Sequence, residues 1–135
     1  MTDERADKAD IAEVLVRYAT GIDTRDWALF ATCWTDDALT EYLDIGTWHS
    51  ARDITDFMES SHVEMGHTMH RLTNLAVTVD GDEATARSYV DALLMAADGQ
   101  TGLNPRGIYD DRLVRTGAGW RIAHRRYTMV HFGTI

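Results

Sequence analysis

Residues 74–96, "NLAVTVDGDEATARSYVDALLMA", decide the fold. Either side of Asp80–Gly81 the residues alternate with a period of two, the repeat of a β-strand, and an Asp-Gly pair between two such runs is a strong hairpin signal. The pattern returns downstream. Residues 107–116, "GIYDDRLVRT", and 120–130, "WRIAHRRYTMV", flank the turn "GAG". Four consecutive antiparallel strands in a meander follow from these two hairpins.

Upstream the period changes. In "DIAEVLVRYATGID", residues 10–23, the apolar positions Ile11, Val14, Leu15, Tyr18 and Ile22 fall on one face of a helix. Asp26 is placed to cap a second short helix, "WALFATCW", ending at the turn 35–37, in which Trp27 and Trp34 have the spacing of packing residues. Ser50 and Asp53 have capping-box spacing at the start of a third, whose apolar side is Ile54, Phe57 and Met58. One short strand, "LTEYLDIGTW", lies between the second and third helices. The expected architecture is α+β: three N-terminal helices packed on a strongly curved, mostly antiparallel sheet, forming a cone whose pocket lies between the sheet and the first helix. A chain of 135 residues suits one domain, 1–135.

Composition excludes several function classes. The net charge of −9 argues against nucleic acid, since no basic run or basic-aromatic patch offsets it. No apolar run approaches the ~18 residues of a membrane helix, so no membrane partner is expected. Cys33 is the single cysteine, which excludes an internal disulfide and fits a reducing compartment. The charged start "MTDERADKAD" does not read as a signal peptide, and a cytoplasmic location is expected.

Two residues are the best candidates for acid–base chemistry. Asp23 closes the first helix beside its apolar face, where the helix dipole and burial both oppose a carboxylate unless something pairs with it. His70 stands at the mouth of the strand that begins the meander. A carboxylate on one ring nitrogen would fix its tautomer and leave the other nitrogen to take a proton. The plainer alternatives are a turn-capping Asp23 and a His70 bonded to a backbone carbonyl. Three of the six histidines, His62, His67 and His70, fall within "SHVEMGHTMHRLTN". Their spacing matches no ligand motif and a glycine interrupts them, so no metal is expected, and His62 and His67 read as loop residues. Tyr18, on the apolar face of the first helix, is a core aromatic whose hydroxyl can reach the pocket wall and donate to a carbonyl. Tyr42, Asn74, Tyr89, Asp91 and Asp110 are polar strand residues available for substrate binding; alternation alone leaves open which half of them faces the pocket. Arg115, Arg121, Arg125 and Arg126 cluster at the last hairpin and are expected mostly on the convex face.

The segments "VRYATGIDTRDWALFATCWTDDA", "MHRLTNLAVTVDGDEATARSYV" and "GIYDDRLVRTGAGWRIAHRR" resemble the SnoaL-like branch of the nuclear-transport-factor-2-like superfamily over nearly the whole chain. Within it they look most like the group of scytalone dehydratase, bile-acid dehydratase and hexachlorocyclohexane dehydrochlorinase. The resemblance implies a dyad of Asp23, in "GIDTRDW", and His70, in "MHRLTN". It puts Tyr18 where bile-acid dehydratases carry a catalytic tyrosine, and Tyr42 near a pocket tyrosine of scytalone dehydratase. The second histidine of scytalone dehydratase has no counterpart here; Leu94 or Met95 stands in its place. The dehydrochlorinase has a lysine at the position of Tyr18.

The function these residues and this resemblance imply is a cofactor-independent lyase of the dehydratase type. His70 abstracts a proton from a small hydrophobic substrate, Asp23 orients it, and Tyr18 donates a hydrogen bond. The alternatives are a polyketide cyclase or double-bond isomerase, or a non-catalytic binder akin to an oxygenase small subunit. A homo-oligomer through the sheet carrying "RSYVDALLM" and "WRIAHRRY" is also expected.

Overall fold

A computed structural model describes residues 3–135; Met1 and Thr2 of the expected domain lie outside the described residues. Helix α1 spans Glu4–Asp23 and α2 spans Trp27–Ala31. Strand β1 (Trp34–Tyr42) turns into β2 (Gly46–Trp48), helix α3 (Ala51–His62) follows, and β3 (Met65–Asp80), β4 (Glu83–Ala96), β5 (Gly102–Thr116) and β6 (Gly119–Thr134) complete the chain. The strands form one mixed sheet in the order β2-β1-β6-β5-β4-β3. The meander β3 to β6 is antiparallel throughout, and β1 joins β6 in parallel. Three helices packed on a curved, open sheet of six strands agree with the expected α+β cone.

The helix face Ile11, Val14, Leu15, Tyr18 and Ile22 is buried, with Ile54 and Met58 of α3. Asp3 caps α1, Asp26 caps α2 and Ser50 caps α3, each through its side-chain oxygen. Gly21 lets α2 close on α1: a Cβ there would lie 2.9 Å from Phe30. The sheet curves where its register slips, at the breaks between Thr73 and Ala76, Arg106 and Gly107, and Arg112 and Leu113. Such bulges bend a strand and raise its twist, which folds the sheet around α1.

Two expectations about the middle of the chain are corrected. Trp34 is not helical: α2 ends at Ala31 with Thr32 as its C-cap, and Trp34 opens β1 opposite Ile122 of β6. A five-residue helix is too short to hold its pattern against a sheet edge that offers backbone partners, and the Ile122 N–H donates to the Cys33 carbonyl at 2.7 Å. The single strand expected over residues 39–48 is a hairpin, β1 with β2, turning near Asp44 at φ 68°. "DIG" supplies that turn. Among the described residues no helix is long and apolar enough to cross a membrane.

Candidate active site

Helix α1 ends in a Schellman motif. The Arg25 N–H donates to the Ile22 carbonyl at 3.0 Å and the Asp26 N–H to the Gly21 carbonyl at 2.8 Å. Glycine usually occupies the left-handed position of this motif, but here Arg25 does, at φ 59°. Its guanidinium offsets that cost by tying the helix end to β3. It donates to the Ile22 carbonyl and the Thr68 hydroxyl, each at 2.8 Å, and to the Gly66 carbonyl at 2.6 Å.

This clamp aims Asp23 at β3. Its Oδ1 accepts from the Thr68 hydroxyl at 2.9 Å and pairs with His70 Nδ1 at 2.7 Å, while Oδ2 accepts from the His70 backbone N–H at 2.8 Å. Burial favours the neutral acid, but the donors from His70 and Thr68 outweigh it and hold the carboxyl below its usual range. An ionised carboxylate can only accept, so Nδ1 of His70 carries the hydrogen and a neutral ring has its lone pair on Nε2. The dipole penalty at the end of α1 is thus met by three donors on one carboxylate.

His70 lines a cavity of about 210 Å³. Its apolar lining includes Phe57, Met58, Val90, Leu94 and Met129, and its polar groups are the imidazoles of His62 and His70, the phenols of Tyr18, Tyr42, Tyr109 and Tyr127, and the Ser61 hydroxyl. The Tyr18 and Tyr42 hydroxyls are 2.5 Å apart. One donates to the other, leaving one phenolic hydrogen of the pair for a ligand. Burial pushes the Tyr18, Tyr42 and Tyr109 phenols up, and Tyr127 up to about 12, so all four are neutral donors at physiological pH.

Behind the tyrosines lies Arg125, fully buried. Its Nε and Nη2 donate to the two carboxylate oxygens of Asp111 at 2.7 and 2.8 Å. The guanidinium carbon sits 4.3 Å from the Tyr18 ring centre and 3.7 Å from that of Tyr109. Arg125 therefore fixes both rings from the side away from the cavity, through stacking and charge.

The family model described as a SnoaL-like domain matches residues 3–126. The chain belongs to the SnoaL-like domain family. The family is part of the nuclear-transport-factor-2-like superfamily. The uncharacterized protein Rv2910c of Mycobacterium tuberculosis (strain H37Rv) is 32% identical over 124 residues, covering 90% of this chain and 84% of its own length. The crystal structure of the Kfla4162 protein from Kribbella flavida superposes with a TM-score of 0.89 at 26% identity, covering 97% of this chain and 95% of that one. A type 2 hexachlorocyclohexane dehydrochlorinase, LinA, shares the fold with a TM-score of 0.86 at 23% identity, covering 96% and 89% of the two chains.

Of the residues singled out in its sequence, this SnoaL-like domain brings Asp23, His70, Tyr18 and Tyr42 together at the cavity. It sends the other four elsewhere. Tyr89 is exposed, and Asp91 binds Arg71 and Asn104. Asp110 binds Arg87 on the same outward side. The phase of β4 explains the first two, because Ser88, Val90 and Ala92 are buried and their neighbours must face out. Asn74 is exposed at a register break, with φ 53°, where it bends β3 and makes no part of the cavity.

Three further corrections follow. His70 is not ahead of its strand, since β3 begins at Met65 and pairs His70 with Ala92. Neither His62 nor His67 is a loop residue: His62 is the last residue of α3, buried in the cavity wall, and His67 lies exposed in β3. Arg125 is buried inside the cone rather than on its convex face. Tyr109 and Tyr127 also belong to the cavity and were not foreseen. They stand directly opposite each other on β5 and β6. Gly107 makes room for them: a Cβ there would come within 2.6 Å of the Tyr127 ring. The described residues contain no group of three or more His, Cys, Asp or Glu side chains arranged to hold a metal ion.

Proposed function

We propose that this domain is a cofactor-independent lyase of the dehydratase type, acting on a small hydrophobic substrate in the cavity. The observation that carries the reading is the fixed tautomer of His70. An ionised Asp23 accepts from His70 Nδ1–H, with Nδ1 and Oδ1 2.7 Å apart, and leaves Nε2 as a base in the wall of an apolar cavity that also contains a phenol pair. The name of the dehydrochlorinase that shares the fold supports an elimination.

In this reading His70 Nε2 takes a proton from a carbon next to an activating group. The C–H electron pair becomes the new double bond, and the leaving group departs from the adjacent carbon with its own bonding pair. Where hydroxide leaves, the proton on His70 passes to it and water results. The free phenolic hydrogen of the Tyr18–Tyr42 pair donates to the substrate oxygen on which charge gathers. Four neutral phenols, two imidazoles and one hydroxyl include no permanent cation for a carboxylate or phosphate, so a neutral substrate fits the lining.

A positioned base contributes about 10²–10⁴ in rate. The test is solvent deuterium exchange at the α-carbon of cyclic ketones, cyclohexanone and 1-tetralone among them, followed by proton NMR. Wild-type protein is expected to accelerate exchange of a ketone that it binds, and His70→Ala to lose at least about 100-fold of that acceleration. A bound ketone that exchanges no faster with wild type than with His70→Ala would make the cavity a binding site only.

A further inference from the structure

His62 is 94% buried at the end of α3 and lines the same cavity as His70, with the two ring centres 6.4 Å apart. Its Nδ1 lies 2.7 Å from the Met58 carbonyl oxygen, a group that can only accept, and 3.0 Å from the Ser61 hydroxyl, which itself donates to that carbonyl at 3.1 Å. Nδ1 therefore carries the hydrogen, and in the neutral ring Nε2 is an acceptor. That Nε2 is buried and has no hydrogen-bond partner among the described residues. An imidazole acceptor left unpaired in an apolar wall costs free energy, and a ligand donor can relieve it. Packing holds the ring in place: the Trp27 ring lies 5.9 Å away on one side and His70 on another. The charged groups that act on it, Asp23 and Arg25, are already bonded to His70 and Thr68.

We infer that His62 is a substrate-binding residue whose Nε2 accepts a hydrogen bond from a ligand hydroxyl, so that the cavity selects hydroxylated ligands over their ethers and hydrocarbons. The inference rests on the proposed use of this cavity as the substrate site, and it names a feature of the substrate: a donor oxygen on the α3 side, separate from the oxygen facing the tyrosines. His62 stays neutral for this role. Burial lowers its basicity, and the neighbouring His70 and Arg25 add to that against the opposing effects of the Met58 carbonyl and the Asp23 carboxylate.

The probes are 4-methylphenol and its methyl ether, 4-methylanisole, which differ at the donor hydrogen. One ring suits a cavity of about 210 Å³, since apolar holes of ~150 Å³ accept benzene. Calorimetric titration of wild type should favour the phenol over the ether. In His62→Leu that preference should fall by about five- to tenfold, the worth of one neutral hydrogen bond. With the protein labelled in its histidine nitrogens, the unprotonated Nε2 resonance of His62 should shift on adding the phenol and stay in place with the ether. An unchanged preference in His62→Leu overturns the inference. So does an Nε2 resonance that the phenol does not move, a measurement on wild type that stands even if the variant does not fold. Binding of the probes requires no proton abstraction. Failure here leaves the His70-dependent ketone exchange intact, and failure of that exchange leaves the phenol preference intact.

Discussion

Two acid–base pairs point into the cone, and they are built differently. Asp23 and His70 have side chains 22% and 9% exposed, while Asp111 and Arg125 are both at 0%. The first pair joins the end of α1 to β3 and opens on the cavity. The second bridges β5 and β6 behind the tyrosines, and neither of its side chains lines the cavity. The groups differ in chemistry as well. Imidazole changes its protonation near neutral pH, whereas guanidinium does not. The outer pair is thus suited to moving a proton and the inner pair to holding a shape, so substitutions should separate activity from stability.

His70→Ala should give the largest effect, a loss of about 10²–10⁴ in turnover or exchange. Its stability should change little, because Asp23 keeps its bonds from the Thr68 hydroxyl and the residue-70 backbone N–H. Arg125→Met should do the reverse. It strands the Asp111 carboxylate in the core, a defect worth about 3–5 kcal/mol. Calorimetry should show a melting midpoint lower by about 10–15 °C. Comparable stability losses in the two variants would erase the contrast between the pairs.

Tyr18→Phe should be milder, about 10- to 100-fold in rate, since a second phenol remains and the loss of a full oxyanion donor costs ~10²–10³. Solvent pH sharpens the comparison further. Folded His62 binds a proton less readily than the unfolded side chain does, because burial disfavours its charge. The unfolded chain then holds more protons just below pH 6.5, so stability falls as pH drops through that value and recovers as pH rises. Denaturant titrations between pH 7.5 and 5.5 should show a steeper loss for wild type than for His62→Leu. Asp23 acts lower: its depressed carboxyl contributes stability above the ordinary value of 3.8 that disappears as pH falls further. The last contrast concerns assembly. Met69 and Tyr89 are exposed on the face away from the cavity, and self-association over that face should give a light-scattering mass that is a multiple of 15.2 kDa.

Local periodicity made much of this readable in advance. The buried face of α1, the meander and the place of Asp23 at the end of α1 follow from repeats of 3.6 and 2 residues and from where elements must end, whereas His70 stands five residues inside β3 rather than at its mouth. The phase of β4 was also available in principle: Asp91 beside Val90 and Ala92 is best satisfied facing out, which carries Tyr89 outward with it. The inner pair was not readable that way. Asp111 and Arg125 each look like surface residues of an alternating strand, and only the β5–β6 register, which sets them opposite each other, makes burying both tolerable. The inward turn of His62 depends equally on tertiary packing, through Trp27 and the cavity wall. Trp34 leaves the helix that its spacing suggests because a parallel partner 88 positions away outcompetes a weak helix.

The most direct test is a double-mutant cycle on ketone α-proton exchange, with wild type, Asp23→Ala, His70→Ala and the double variant. If Asp23 works by holding His70, removing both should cost no more than removing His70 alone, since the carboxylate then has nothing to orient. Independent losses that multiply in the double variant, or a His70→Ala protein as active as wild type, would contradict the account.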